Sequence, residues 1–195
     1  MRNLLTLNKD GQLCLRTDGA ETKLRTTHLN ALLLIDTSGS MAGSKIEQAK
    51  GGAIDFAHSA IAGGYATALA IFADRAAMVC DPTVDATHFT RKIARLEVGL
   101  VGGTTNLAAG LILAGNFPGL AAVVIVTDGA TPQEPALIAA IALKAKRVEI
   151  ICIGTDDADS DFLKQLATRS DLATHVPAKH LRSAIEGASR LLTGR

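Results

Sequence analysis

Three oxygen-bearing side chains follow the apolar run of residues 31–35. Asp36, Ser38 and Ser40 stand at every second position within the stretch A-L-L-L-I-D-T-S-G-S-M-A-G. An extended turn can point all three side chains in the same direction, and carboxylate and hydroxyl oxygens are hard donors of the kind that Mg²⁺ and Ca²⁺ prefer. Residues 31–43 therefore predict one half of a metal site at the carboxyl end of a buried strand.

Two further loops offer donors of the same kind. Residues 99–111 read G-L-V-G-G-T-T-N-L-A-A-G-L, and the apolar run of residues 120–126 leads directly into Thr127-Asp128-Gly129. In open α/β sheets, ligands bind at the carboxyl ends of the strands. The candidate metal ligands are thus Asp36, Ser38, Ser40, Thr104 or Thr105, and Asp128. Because this set contains no His or Cys, it favours Mg²⁺, Mn²⁺ or Ca²⁺ over Zn²⁺.

The pattern of apolar residues predicts the elements that position these loops. Helices are expected over residues 44–62, 85–96, 134–146, 160–168 and 179–192, with a further small-residue helix after residue 106. Strands are expected over residues 31–35, 65–73, 76–80, 120–126, 148–153 and 175–176. The short link Asp74-Arg75 makes strand 76–80 antiparallel to the strand before it, and Asp81-Pro82 is expected to end it. The fold class is therefore α/β: a doubly wound, mostly parallel sheet with one antiparallel edge-side strand and helices on both faces.

The chain length of 195 residues fits one domain of ordinary size. We expect this domain to span residues 28–195. Residues 1–27 form a separate N-terminal arm or a small hairpin, because the alternating runs of residues 4–7 and 12–16 flank the turn sequence Asn8-Lys9-Asp10-Gly11.

Composition excludes several classes of function. A net charge of +1, with 3% aromatic residues and no Trp, argues against a nucleic-acid-binding protein. No apolar stretch approaches the about 20 residues that a membrane helix needs, and the N-terminus lacks the features of a secretory signal. The three cysteines are far apart and form no C-x-x-C pair, which is typical of reduced thiols. We therefore predict a cytoplasmic location.

Together, the D-x-S-x-S, G-G-T-T-N-L and V-T-D-G motifs resemble those of the von Willebrand factor A domain with its metal-ion-dependent adhesion site. The resemblance covers residues 28–193. It assigns Asp36, Ser38 and Ser40 to the first motif and Asp128 to the third. For the threonine of the second motif, counting back from Asn106-Leu107 selects Thr105, whereas counting forward from Gly102-Gly103 selects Thr104; we favour Thr105 because the start of a helix is the more rigid reference.

The resemblance also implies a function. In this family Ser38, Ser40 and Thr105 would touch the metal, whereas Asp36 and Asp128 would often act through water, and the cation would accept an Asp or Glu carboxylate from a partner protein. Intracellular members resemble adaptors for larger machines, including ring-forming ATPases and stress-response complexes. By the same analogy, a change of metal ligation would be coupled to movement of the last helix, predicted over residues 179–192.

An enzyme is the alternative interpretation. A divalent-metal-dependent hydrolase could use the same oxygens to activate water. A phosphohydrolase of the haloacid dehalogenase type, however, needs a second aspartate where this chain has Ser38, and Gly43-Ser44-Lys45 is out of register for a Walker loop. The acidic loop of residues 156–161 lacks the pattern of an EF-hand, so Asp159 or Ser160 is expected to cap a helix. We therefore expect a binding module without catalytic residues.

Overall fold

The computed structural model describes residues 28–129 and 131–192, together with three short strands nearer the N-terminus. These strands are β1 (Leu4–Leu7), β2 (Leu13–Thr17) and β3 (Ala20–Lys23). Each pairs antiparallel with the next, and β3 is a strand that the sequence did not indicate. The turn expected at residues 8–11 lies outside the described residues. The boundary between arm and domain stays a prediction.

Six further strands form the central sheet, in the order β6-β5-β4-β7-β8-β9. Their bounds are β4 Leu29–Asp36, β5 Tyr65–Phe72, β6 Ala76–Thr83, β7 Leu120–Thr127, β8 Glu149–Gly154 and β9 Ala173–His175. All neighbours are parallel except β5 and β6. The chain runs from β4 outward to β6 and then returns to the other side of β4 at β7. The strand order therefore reverses beside β4, which confirms the predicted doubly wound sheet with one antiparallel strand at its edge.

The described part of this domain contains six α-helices, of which the first five lie between strands of the sheet and the sixth follows β9. They are α1 (Ser44–Ala62), α2 (Ala86–Ile93), α3 (Leu107–Gly115), α4 (Gln133–Ala145), α5 (Ser160–Leu166) and α6 (Leu181–Leu192). Helix α1 packs against α2 and α6, and α4 packs against α3 and α5. The two groups cover the two faces of the sheet, as the sequence predicted. No described helix has the length and apolar character needed to cross a membrane.

Close contact between α1 and α6 depends on a glycine. A Cβ atom on Gly52 would lie 2.8 Å from the backbone oxygen of Arg182 and 2.8 Å from the Cβ of Ile185. Both distances are shorter than van der Waals contact, so only glycine allows this approach. The preceding Gly51 differs, because its Cβ would meet only side-chain atoms of Arg182, the nearest at 3.2 Å.

The predicted end of the antiparallel strand is wrong. Strand β6 continues through Asp81 and Pro82 to Thr83. Its pairing with β5 contains two register shifts, and β6 is an edge strand. Proline lacks a backbone N–H, so it is tolerated on an edge strand with bulges, where no ladder hydrogen bond is needed from it.

Three predicted helices are shorter than expected. Helix α5 ends at Leu166 rather than at residue 168. Helix α2 ends at Ile93 rather than at residue 96, although Phe89, Ile93 and Leu96 are all buried. Helix α6 begins at Leu181, because residues Ala178–His180 form a separate 3-10 turn behind Pro177. Asp159 caps α5 through its Oδ1, which accepts hydrogen bonds from the N–H groups of Asp161 and Phe162, so the capping prediction for the acidic loop is confirmed.

Candidate metal centre

Strands β4 and β7 lie side by side at the point where the strand order reverses; β4 ends at Asp36, and Asp128 directly follows the end of β7. Ile35 is paired with Val126, which places Asp36 beside Thr127. Both strands are buried along most of their length, and their apolar side chains form the middle of the core. The sheet therefore brings Asp36 and Asp128 to the same edge although 92 residues separate them in the chain.

Asp36 is buried and holds the two loops together. Its Oδ1 accepts the backbone N–H of Ser38 at 2.8 Å, and its Oδ2 accepts the hydroxyl of Thr127 at 2.7 Å. Burial raises the pKa of the Asp36 carboxyl, and the nearby charge of Asp128 adds to the rise, whereas hydrogen bonds from Ser38 and Thr127 act in the opposite direction. Thr127 was not among the predicted site residues, although it directly precedes Asp128.

The hydroxyls of the first loop form a chain that leads to Asp128. Ser40 Oγ donates to Asp128 Oδ1 at 2.7 Å, and the Oγ atoms of Ser38 and Ser40 are 3.1 Å apart. Because the Ser40 proton is used by Asp128, Ser38 is the donor in the serine pair. Ser38 is buried and Ser40 is exposed, so the chain of oxygens runs from the interior to the surface. A ligand from solvent can approach it from the Ser40 side.

The two candidate threonines of the second loop have different neighbours. A Cβ atom on Gly129 would lie 3.3 Å from Thr105 Oγ1 and 3.8 Å from Ser40 Oγ, so both hydroxyls border the same small space above Gly129. The backbone N–H and the hydroxyl of Thr104 instead donate to Oδ1 of Asp74. Of the two candidates that the sequence left open, Thr105 is the one that faces Ser40.

Asp74 organises this loop from the end of the neighbouring strand β5. Hydrogen bonds from the hydroxyl and the backbone N–H of Thr104 lower the pKa of the Asp74 carboxyl. Gly102 has a φ of +116°, and a Cβ atom there would lie 2.2 Å from Cγ of Asp74, so glycine is required on two grounds. In the sequence, Asp74 directly follows an apolar strand, as Asp36 and Asp128 do. Because it was interpreted only as a turn residue, its role in holding the second loop was missed.

Thr131 fixes the backbone of Thr105. Its hydroxyl donates to the carbonyl of Thr105 at 3.1 Å and accepts the backbone N–H of Leu107, also at 3.1 Å. The side chain therefore links the end of the second loop to the segment that follows Asp128. Asn106 directly follows Thr105 and caps α3 with its side-chain oxygen, which fixes the start of that helix at Leu107.

We expect Thr131→Val to lower the free energy of unfolding by about 1–2 kcal/mol, because a partly buried N–H donor and a carbonyl both lose their partner. Thr131→Ser, which keeps the hydroxyl, should recover most of this loss. Chemical denaturation of the three proteins measures the difference. Equal stability of the Val and wild-type proteins would contradict the bridging role.

Two charged residues outside the predicted set also belong to the site. Lys45, in the first turn of α1, contacts Oδ2 of Asp128, and its Nζ lies 2.9 Å from Oδ2 of Asp156 in the loop after β8. Burial lowers the pKa of Lys45, but the hydrogen bonds and charges of Asp128 and Asp156 outweigh it, so that the pKa is raised overall. The sequence offered no local signal for this contact.

The donor set fits a hard divalent cation. Among the residues that the structure describes, no three or more His, Cys, Asp or Glu side chains are grouped to hold a metal ion. A cation here would depend instead on the hydroxyls of Ser38, Ser40 and Thr105 together with the two carboxylates. Hydroxyl and carboxylate oxygens around a space bordered by a glycine suit Mg²⁺, Mn²⁺ or Ca²⁺.

The fold and these three loops define an α/β domain with an oxygen-lined site at the switch point of its sheet. The family model described as von Willebrand factor type A domain matches residues 31–130, just over half of the chain. This protein belongs to the von Willebrand factor type A domain family. Domains of this family typically mediate protein–protein interactions. No curated protein matched the chain.

Solved structures share the fold at low sequence identity. Proximal thread matrix protein 1 from the mussel byssus has a TM-score of 0.75 and 18% identity, over 85% of this chain and 47% of that one. The von Willebrand factor domain of the type V pilus tip protein Mfa5 from Porphyromonas gingivalis has a TM-score of 0.73 and 13% identity, over 85% and 95% of the chains. This chain thus spans about half the length of the mussel protein.

The mussel protein has also been described with a bound metal ion. A second structure of the mussel protein is described as having a zinc-occupied metal-ion-dependent adhesion site; it has a TM-score of 0.69 and 18% identity, over 83% of this chain and 46% of that chain. At 18% sequence identity, the similarity between the two chains shows a shared fold and nothing more.

Proposed function

We propose that this protein is an adaptor, a metal-dependent protein-binding module whose cation is held by Asp36, Ser38, Ser40, Thr105 and Asp128. The observation that carries the proposal is the convergence of three loops on the space above Gly129, which the hydroxyls of Ser40 and Thr105 both border. Mg²⁺ is the cation that this donor set suits best, with Mn²⁺ and Ca²⁺ as alternatives. When bound, the cation would supply a position for an Asp or Glu carboxylate of a partner protein.

The shape of the surface beside Thr105 supports a protein partner. A groove of about 640 Å³ begins at Thr104 and Thr105 and continues along α3. Its lining is mostly apolar, with Ala109, Ile112, Pro132 and Pro135 among the residues. Ile112 is 59% exposed, which leaves a large apolar side chain open to contact. A partner could therefore place a carboxylate at the hydroxyls and an apolar side chain in the adjoining groove.

The nature and location of the partner are part of the proposal. An ATPase complex or a stress-response complex is suggested by the family resemblance of the motifs, whereas a nucleic acid or a membrane is disfavoured by the chain's composition. A cytoplasmic location is supported by Cys80 and Cys152, which are buried free thiols. Burial raises the pKa of Cys152 to about 12, so this thiol stays protonated and unreactive.

The two adjacent threonines provide a matched test of metal-dependent binding. The wild-type protein, Thr105→Val and Thr104→Val are immobilised, and partners are captured from lysate of the source cells in Mg²⁺ or in chelator. We expect Mg²⁺-dependent capture by the wild-type and Thr104→Val proteins, and capture weaker by about tenfold or more by Thr105→Val. Without the Thr105 hydroxyl the cation is held less tightly, and losing the contact between the cation and the partner's carboxylate at the centre of the interface costs at least about 1.4 kcal/mol. Capture that is equal in Mg²⁺ and in chelator would remove the metal from the binding mechanism.

A metal-dependent hydrolase that uses the same oxygens is the alternative. It needs a general base, and both site carboxylates are already engaged: Asp36 accepts from Ser38 and Thr127, and Asp128 from Ser40 and Lys45. These contacts favour a binding role. A phosphatase and nuclease screen in Mn²⁺ separates the two functions, and turnover that disappears in Ser38→Ala would establish the hydrolase instead.

A further inference from the structure

Lys45 places a positive charge at the candidate metal centre. Its Nζ lies between two carboxylates, in contact with Oδ2 of Asp128 and 2.9 Å from Oδ2 of Asp156. The side chain of Asp128 is fully buried, that of Lys45 is 19% exposed and that of Asp156 is 40% exposed. The ammonium group is thus placed between an inner carboxylate of the site and an outer carboxylate at the surface.

Each carboxylate oxygen of Asp128 has a different partner. Oδ1 accepts the hydroxyl of Ser40, and Oδ2 contacts Lys45. A divalent cation among the hydroxyls and the ammonium group of Lys45 would therefore draw on the same carboxylate, and the two positive charges would repel each other across it. Any metal affinity of the site must include the cost of that repulsion.

Asp156 offers Lys45 a second partner close by. It has a φ of +50°, an uncommon conformation for a residue other than glycine, and its backbone carbonyl accepts Nε2–H of His175 at 3.1 Å. These features hold the Asp156 carboxylate at the carboxyl end of β8, next to the site but outside the group of hydroxyls. Lys45 can keep a neutralising contact with Asp156 when its contact with Asp128 weakens.

We propose that Lys45 is an internal cation that competes with the divalent metal for Asp128, and that Asp156 retains Lys45 when the metal binds. Lys45 neutralises the buried carboxylate when no metal is present and lowers the affinity of the site for metal. Lys45 and Asp156 together thereby set the metal concentration at which the module becomes competent to bind. This inference rests on the proposed metal-dependent function and deepens it.

The direct test is the affinity for Mn²⁺, measured by isothermal titration calorimetry. Lys45→Met keeps the length and apolar stem of the side chain but removes the charge, and we expect it to bind Mn²⁺ about tenfold more tightly than the wild type. Lys50→Met is the matched control, because Lys50 lies in the same helix and its Nζ pairs with Glu47 at 2.9 Å, away from the site. The control should bind with wild-type affinity. In chelator, Lys45→Met should also unfold at a lower temperature than wild type, because Asp128 loses its counter-ion.

Asp156→Asn tests the second half of the proposal and alters only a partly exposed residue. Of the two carboxylates that contact Lys45, only Asp128 would then remain. Because Lys45 would compete more strongly with the metal for Asp128, we expect about threefold weaker Mn²⁺ binding. In the Lys45→Met background the same substitution should have little effect, because Asp156 acts through Lys45. If Asp156 instead attracted the metal directly, Asp156→Asn would weaken Mn²⁺ binding by the same factor in the Lys45→Met background.

Each result has a definite meaning. Unchanged or weaker Mn²⁺ binding by Lys45→Met, with metal binding by the wild type intact, overturns the competition but leaves the metal-dependent function standing. An Asp156→Asn effect of the same size with and without Lys45 overturns the retaining role of Asp156. Absence of Mn²⁺ binding from wild type and all variants overturns both this inference and the proposed function.

Discussion

Saturating Mg²⁺ or Mn²⁺ is expected to raise the midpoint of thermal unfolding of the wild-type protein, and Asp128→Ala is expected to abolish the increase. A ligand that binds only the folded state at 100 times its Kd adds about 2.7 kcal/mol to the free energy of unfolding. For a domain of this size the added stability corresponds to about 5–10 °C. Asp128 should be indispensable because Ser40 donates to it directly, which ties the carboxylate to the hydroxyls of the site.

Asp55→Ala is the control for this experiment. Asp55 is also a carboxylate paired with a cation, since its Oδ2 accepts Nε–H of Arg182 at 2.7 Å, but this pair joins α1 to α6 away from the metal centre. Its loss should cost at most about 1 kcal/mol and leave the metal-induced increase unchanged. The metal site would be refuted by equal melting temperatures in metal and in chelator, and Asp128 would lose its assigned role if Asp128→Ala retained the increase.

Gly52→Ala is expected to lower the free energy of unfolding by about 2 kcal/mol, although alanine is the better helix former. The added methyl group would lie 2.8 Å from the backbone oxygen of Arg182 and 2.8 Å from the Cβ of Ile185. Neither atom can move by a side-chain rotation, so α6 has to shift away from α1. Equilibrium denaturation in guanidinium chloride measures the loss.

The neighbouring Gly51→Ala variant separates packing from helix propensity. Its methyl group would meet only the Arg182 side chain, which is 58% exposed and can rearrange. The gain in helix propensity of up to about 1 kcal/mol should then offset the small adjustment, and the stability should equal or exceed that of the wild type. Equal destabilisation by the two substitutions would show that α6 does not approach α1 as closely as the structure indicates.

The periodicity of apolar residues was sufficient for most elements of the fold. Helix α1 begins and ends at the predicted residues, because its apolar spacing of three and four is bounded by Gly63-Gly64. Strands β4 and β7 were recognisable because they are buried on both faces and therefore apolar throughout. The predicted end of β6 was wrong because Pro82 is tolerated only on an edge strand. The position of a strand within the sheet cannot be read from the neighbouring residues in the sequence.

Local sequence was enough to select the candidate donors of the first and third loops, Asp36, Ser38, Ser40 and Asp128. Each follows a strand whose apolar character is evident locally, and the carboxyl ends of parallel strands meet at one edge of the sheet. The D-x-S-x-S spacing also carried the family resemblance, which the match over residues 31–130 supports.

Tertiary contacts determine which threonine faces the serines and which charges surround Asp128. Thr104 is turned away because Asp74, 30 residues earlier, accepts its N–H and its hydroxyl, and Thr105 is left beside Ser40. Lys45 reaches Asp128 across 83 residues of chain, and Asp156 meets the same lysine from the end of another strand. Such contacts follow from strand order and register in the sheet, and the residues adjacent to each side chain in the sequence do not encode them.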